Sequence, residues 1–154
     1  MTLEHEFFLI KKNIDMKYIW KLNKNELDFI DMVTIHDDFI VYINDSLKWI
    51  PSINPINPNF PRQFGINYYE LTLFDKKSAL IFKNILTSWE NLIRNAPDKI
   101  YLTGQYEWNE NNKDEGEYKE LQFNKQDLII QLEKIITFTQ KLETGEYYIL
   151  HRGI

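Results

Sequence analysis

The chain has 154 residues, with 18 basic and 23 acidic side chains and a formal net charge of −5. It contains no cysteine, which excludes disulfide frameworks, iron–sulfur clusters, cysteine zinc sites and thiol nucleophiles. Hydrophobic residues at 44% and aromatics at 15% exclude disorder, collagen-like repeats and a coiled coil, and a chain of this length is expected to form one domain.

The N-terminus places Glu4 and Glu6 where a secretory signal would carry positive charge, and no stretch reaches the ~20 apolar residues of a membrane-spanning helix. A cytoplasmic location is therefore expected. Glu4 to Ile10, Leu27 to Ile35, Phe39 to Ile43 and Lys48 to Ile53 read as extended segments. Asn44 to Leu47 would turn between the last two, making residues 1–53 a strand-rich meander. Tyr18 to Leu22 is compatible with a strand or a helical turn. Prolines at 51, 55, 58 and 61 are too dense for a regular ladder, so residues 54–66 are expected to form a structured loop.

The second half is more regular. Asn67 to Phe74 alternates apolar and polar positions and predicts a strand, with Tyr69, Leu71 and Leu73 on one face. The period changes at Asp75. Phe82, Ile85, Leu86, Trp89, Leu92, Ile93 and Ala96 recur at three- and four-residue steps, which predicts an amphipathic helix over 75–96. Asp75 is suited to cap its start and Pro97 to stop it. Asp98 to Trp108 alternates again, Asn109 to Gly116 is a polar connector, and Glu117 to Phe123 can return as the second arm of a hairpin. Asn124 and Asp127 signal a further helix start, with Leu128, Leu132, Ile135, Ile136, Thr139 and Leu142 continuing its stripe to Glu143. Gly145 can end that helix, and Tyr147 to Leu150 resumes a strand. The predicted fold is a single α+β domain, an antiparallel or mixed sheet with two amphipathic helices at 75–96 and 124–143. Residues 67–151 follow the strand–helix–strand–strand–helix–strand order of the ferredoxin-like motif.

Few residues point to bond chemistry. His5, His36 and His151 form no HxxxH or HxH pair, so no metal site or cofactor is predicted. His36 beside Asp37 and Asp38 is compatible with a base or with a polar turn. His151 ends the last predicted strand, where a site or a solvated tail would both fit. There is no GxSxG and no phosphate-binding glycine pattern. Glu107 and Glu120 fall on opposite arms of the hairpin, as paired carboxylates or as part of an exposed face. The basic residues are scattered, which disfavours nucleic acid as a partner.

The strongest signal is acidic. Glu107, Glu110, Asp114, Glu115, Glu117 and Glu120 place six acids in fourteen residues, interleaved with Tyr106, Trp108 and Tyr118. Aromatic anchors within a charged rim are the composition of a protein-binding hot spot; a solvated hairpin tip whose aromatics pack inward is the alternative. Asp28, Asp31, Asp37, Asp38 and Asp45 form a second acidic cluster. Trp49, Phe60 and Phe64 surround the Pro-rich loop as a third candidate surface.

The segments NYYELTLF, SWENLIRNAP, IYLTGQYEW and YYILHRGI resemble those of small cytoplasmic bacterial proteins. In size, acidity and lack of catalytic motifs the chain is also similar to the immunity proteins that neutralise polymorphic or contact-dependent toxins. That second likeness implies an inhibitor that covers a basic toxin domain such as a nuclease, and carries no site residue with it. The expectation is a protein-binding role through Glu107, Trp108, Glu110, Asp114, Glu115, Glu117, Tyr118 and Glu120, with Asp37 and Asp38. The alternatives are a small hydrolase or transferase using His36 or His151 with neighbouring carboxylates, and a structural subunit of an assembly.

Overall fold

The computed structural model describes residues 3–15, 19, 25, 27–56 and 62–154. Four strands form the main sheet: β1 (Glu4–Lys11), β2 (Asp31–His36), β5 (Leu71–Phe74) and β8 (Tyr147–Arg152). Their order is β2-β1-β8-β5, and every pairing is antiparallel. The two central strands are β1 and β8, so segments far apart in the sequence pair in the middle of the core.

The sheet is buried on both faces, and successive residues point to opposite sides. Phe7 and Leu9 of β1, Ile149 of β8 and Phe74 of β5 join the larger core cluster beneath the helices. Phe8, Ile10, Leu71, Leu73 and Leu150 form a smaller cluster on the other side with Ile19 and Leu27. Double burial explains why β1 reads as a continuous apolar run.

Three helices cover the first face: α1 (Asp37–Leu47), α2 (Ala79–Arg94) and α3 (Lys125–Leu142). The two expected helices are present with shorter bounds, α2 being preceded by a 3-10 turn at Lys76–Ser78. The Asp75 carboxylate accepts from the Lys77 amide, and Asn124 Oδ1 accepts from the Asp127 amide at 3.0 Å. Gly145, with φ +79°, takes the left-handed conformation just after α3 and donates its amide to the Leu142 carbonyl.

Helix α1 corrects the expected meander. Phe39 to Ile43 is helical, and Asn44 to Leu47 continues the helix instead of turning. Its buried residues Phe39, Ile40, Ile43 and Leu47 keep helical spacing despite the β-branched character of the run, because the cap and the core favour a helix over local strand propensity. His36 supplies that cap, its Nδ1 accepting from the Asp38 amide at 3.0 Å. Of the expected strand over 48–53, Pro51–Ser52 remains as β3, paired with β4 (Gln63–Phe64). Pro58, Phe60, Pro61 and most of Tyr18 to Leu22 lie outside the described residues.

The strand–helix–strand–strand–helix–strand order of the second half is present, but a ferredoxin-like sheet is not. Strands β6 (Lys99–Asn109) and β7 (Asn112–Asn124) pair with each other in a separate two-stranded sheet. The expected polar connector is mostly strand, and only Glu110 and Asn111 form the turn. Ile100, Leu102 and Phe123 root this hairpin in the core, with Leu121 buried opposite Leu102, while residues beyond them project outward. No helix among the described residues is long and apolar enough to cross a membrane.

Candidate functional site

The outer half of the hairpin carries most of the residues singled out from the sequence. Glu107, Trp108, Glu110, Asp114, Glu115, Glu117, Tyr118 and Glu120 are all exposed. Trp108 is 66% exposed and Tyr118 64%, so the aromatics do not pack inward against the domain. They pack on one another instead: the Tyr106 ring lies edge-on to Trp108 at 5.0 Å and to Tyr118 at 5.1 Å. Tyr106 is paired with Tyr118, and Trp108 with Gly116. A Cβ on Gly116 would lie 2.6 Å from both the Tyr106 ring and the Glu107 carbonyl, so glycine is what lets the ring come this close to the facing strand. Glu107 faces Glu117 and Glu120 faces Thr103, so Glu107 and Glu120 are parts of an exposed face and not a carboxylate pair.

The root of the hairpin and the start of α1 enclose a cleft of about 580 Å³, closed on a third side by Tyr68 and Tyr69. Asp37, Asp38 and Glu107 line it, and so does Lys119. Lys119 Nζ reaches across from the hairpin to Asp38 Oδ1 at 2.9 Å. The hydrogen bond to Asp38 and the Asp38 charge push the Lys119 ammonium upward in pKa against its desolvation, and the charges of Glu107 and Asp37 add to the rise. The hairpin segment and two members of the second acidic cluster therefore meet in space. The rest of that cluster does not join them: Asp31 pairs with Lys134 at 2.9 Å and Asp45 with Lys48 at 3.2 Å.

Behind the cleft wall lies a chain of hydrogen bonds that the sequence reading missed. His5 Nε2 is 2.9 Å from Asp37 Oδ1, and His5 Nδ1 is 2.8 Å from His151 Nε2. The Tyr68 hydroxyl donates to the same Asp37 oxygen. Both imidazoles are fully buried, and burial pushes His151 down to about 3, with the neighbouring His5 adding to the effect. Burial also lowers His5, against the opposing pull of the hydrogen bond and charge of Asp37. Two neutral imidazoles fix the direction of the chain. His151 donates to His5, His5 donates to Asp37, and His151 Nδ1 remains a buried acceptor with no partner. Burial, and then the hydrogen bond and charge of Asp37, raise Tyr68 well above an ordinary phenol, which keeps its hydroxyl a donor. All three donors thus run toward one carboxylate at the cleft, and they hold it in place.

The C-terminus fixes the third wall. Gly153 donates its amide to the Glu70 carbonyl and Ile154 to that of Tyr68. A Cβ on Gly153 would lie 2.0 Å from the Tyr68 carbonyl oxygen, so only glycine allows this close approach.

The histidines of the alternative reading stand apart. His151 is buried behind His5 and does not line the cleft. The Nδ1 of His36 is committed to capping α1. Exposed apolar residues on the helices, Leu80, Ile81 and Leu92 on α2 and Ile130 on α3, are the kind of single exposures that soluble domains tolerate. Trp49 and Phe64, from the third candidate surface, are exposed at the β3–β4 pairing. Among the described residues no group of three or more His, Cys, Asp or Glu side chains is placed to hold a metal ion. No protein-family model matches the chain, and no curated protein and no solved structure is significantly similar to it.

Proposed function

We propose that this chain is a protein-binding inhibitor that uses the β6–β7 hairpin as an arm against a basic partner, as an immunity protein does against a toxin domain such as a nuclease. The observation that carries the reading is the knot of Tyr106, Trp108 and Tyr118 at the exposed end of the arm, on a ribbon whose opposite face carries Glu107 and Glu117. Clustered aromatic side chains of this kind are the residues that dominate binding energy when buried in an interface. The acids would steer a cationic surface toward the arm, raising the association rate, while the aromatics would supply the buried area.

The reading is tested by charge reversal. The wild-type chain and the Glu110→Lys, Asp114→Lys, Glu115→Lys chain are used side by side as baits in cells of the source. A protein retained by the first and lost by the second is then mixed with each chain in stopped flow over a range of salt. The reversed chain is expected to associate about tenfold more slowly, with a flattened salt dependence. Equal rates for the two chains remove the hairpin from the interface.

A further inference from the structure

The cleft at the root of the arm has a more specific chemistry than the arm itself. Three carboxylates, Asp37, Asp38 and Glu107, stand against one ammonium, Lys119, leaving the lining two charges negative. Lys119 is an internal indication of what the cleft attracts: an ammonium drawn from the hairpin onto Asp38 and held in the field of all three acids. The aromatic lining comes from Tyr42, 40% exposed, and Tyr69, 76% exposed; the Tyr69 ring sits edge-on to Tyr68 at 4.8 Å. Asp37 does not have to be ordered on binding, because His5 and Tyr68 already hold its Oδ1. Pre-set acceptors beside aromatic faces favour a planar, weakly hydrated cation over a compact ammonium.

We infer that the cleft between the start of α1, the Tyr68–Tyr69 turn and the root of the hairpin is a receptor for a guanidinium group, the side chain of an arginine on the partner. This rests on the reading of the chain as a binder of a basic protein, and it adds a second contact point: the arm tip covers surface, and the cleft takes one arginine. Lys119 is an internal competitor that keeps the acids compensated until the arginine arrives. Carboxylate and planar cation are paired here in a site that excludes part of the surrounding water, where charge-assisted bonds are stronger than on an open surface.

The site can be tested without the partner. The intact chain is titrated with butylguanidinium, and with butylurea as its neutral isostere, by heteronuclear NMR. The guanidinium should give saturable shifts at Tyr42, Tyr69 and Gly104, with a dissociation constant on the order of millimolar, and butylurea should give none. Glu107→Gln, at an exposed position with no part in the core, should weaken binding about fivefold, and Lys119→Met should tighten it about fivefold. Asp37→Asn keeps an acceptor for His5 and Tyr68 while removing the charge, and should weaken binding by at least as much as Glu107→Gln. Shifts that do not saturate, that butylurea reproduces, or that ignore these substitutions overturn the proposal. The arm-tip reversal at Glu110, Asp114 and Glu115 should leave the titration unchanged, so the two readings fail separately. Partner capture lost on tip reversal but untouched by Asp37→Asn and Glu107→Gln would keep the arm and reject the arginine receptor.

Discussion

The main sheet and the hairpin arm are both antiparallel β-structure, yet they are built to opposite rules. In the sheet, Phe8, Ile10, Leu150 and Phe74 are wholly buried, and even the polar groups His5, His151 and Thr72 are sealed from water. In the outer arm every side chain from Gln105 to Glu120 is exposed, and Trp108 touches the Tyr106 ring instead of the core. An isolated two-stranded ribbon is marginal in water. This one is held by its root, through Ile100, Leu102 and Phe123, and by the ring cluster at its end. The contrast separates stability from recognition: the sheet can be damaged only at the expense of the fold, whereas the arm can be altered at little expense to it.

Substitutions should divide along that line. Phe138→Ala, which truncates a fully buried ring of α3, is expected to lower the unfolding free energy by about 3–5 kcal/mol in urea titration. Next comes the pH dependence of the buried imidazoles. Both are held below the ordinary value of 6.5, so the unfolded chain takes up protons below that pH which the folded chain refuses. Stability is therefore complete above about pH 6.5 and falls as the pH drops toward the folded value of about 3 for His151. The loss is at most about 1.4 kcal/mol per pH unit for each imidazole. His151→Gln, which keeps a donor for His5 but does not titrate, should remove about half of that slope.

Smaller effects follow at the boundary and on the arm. Asn124→Ala removes the cap that joins β7 to α3 and should cost about 1 kcal/mol. Trp108→Ala should change global stability by less than about 0.5 kcal/mol, while weakening partner binding by about 2 kcal/mol or more. A large stability loss on Trp108→Ala would erase the distinction between the two regions.

What the sequence disclosed follows the same division. The helices α2 and α3 were legible because each buries one stripe against the core, leaving a clear period in the sequence. The acids and aromatics of the arm were legible as composition. The extent of β7 was not, because a strand solvated on both faces has no alternation to read, and Asn112 to Gly116 looked like a loop. The Phe39 to Ile43 run resembled a strand since Ile and Val favour extended structure, although the later Ile43 and Leu47 keep a helical step from Phe39. The buried relay was missed for a different reason. His5 alternates with Phe7 and Leu9, and His151 with Ile149, so each could be placed on an inward face. Their meeting depends on the first and last strands being neighbours in the sheet, and nothing local specifies that pairing. The cleft combines α1, a turn and the hairpin root, three segments brought together only by the tertiary fold.

The most direct test of the account is amide hydrogen exchange on the chain free and bound to the captured basic partner. Binding should slow exchange in the outer arm, residues 103–120, and at the start of α1, residues 37–42, and leave the outward faces of α2 and α3 unchanged. Protection confined to those helix faces, with the arm exchanging as fast in the complex as in the free chain, would contradict it.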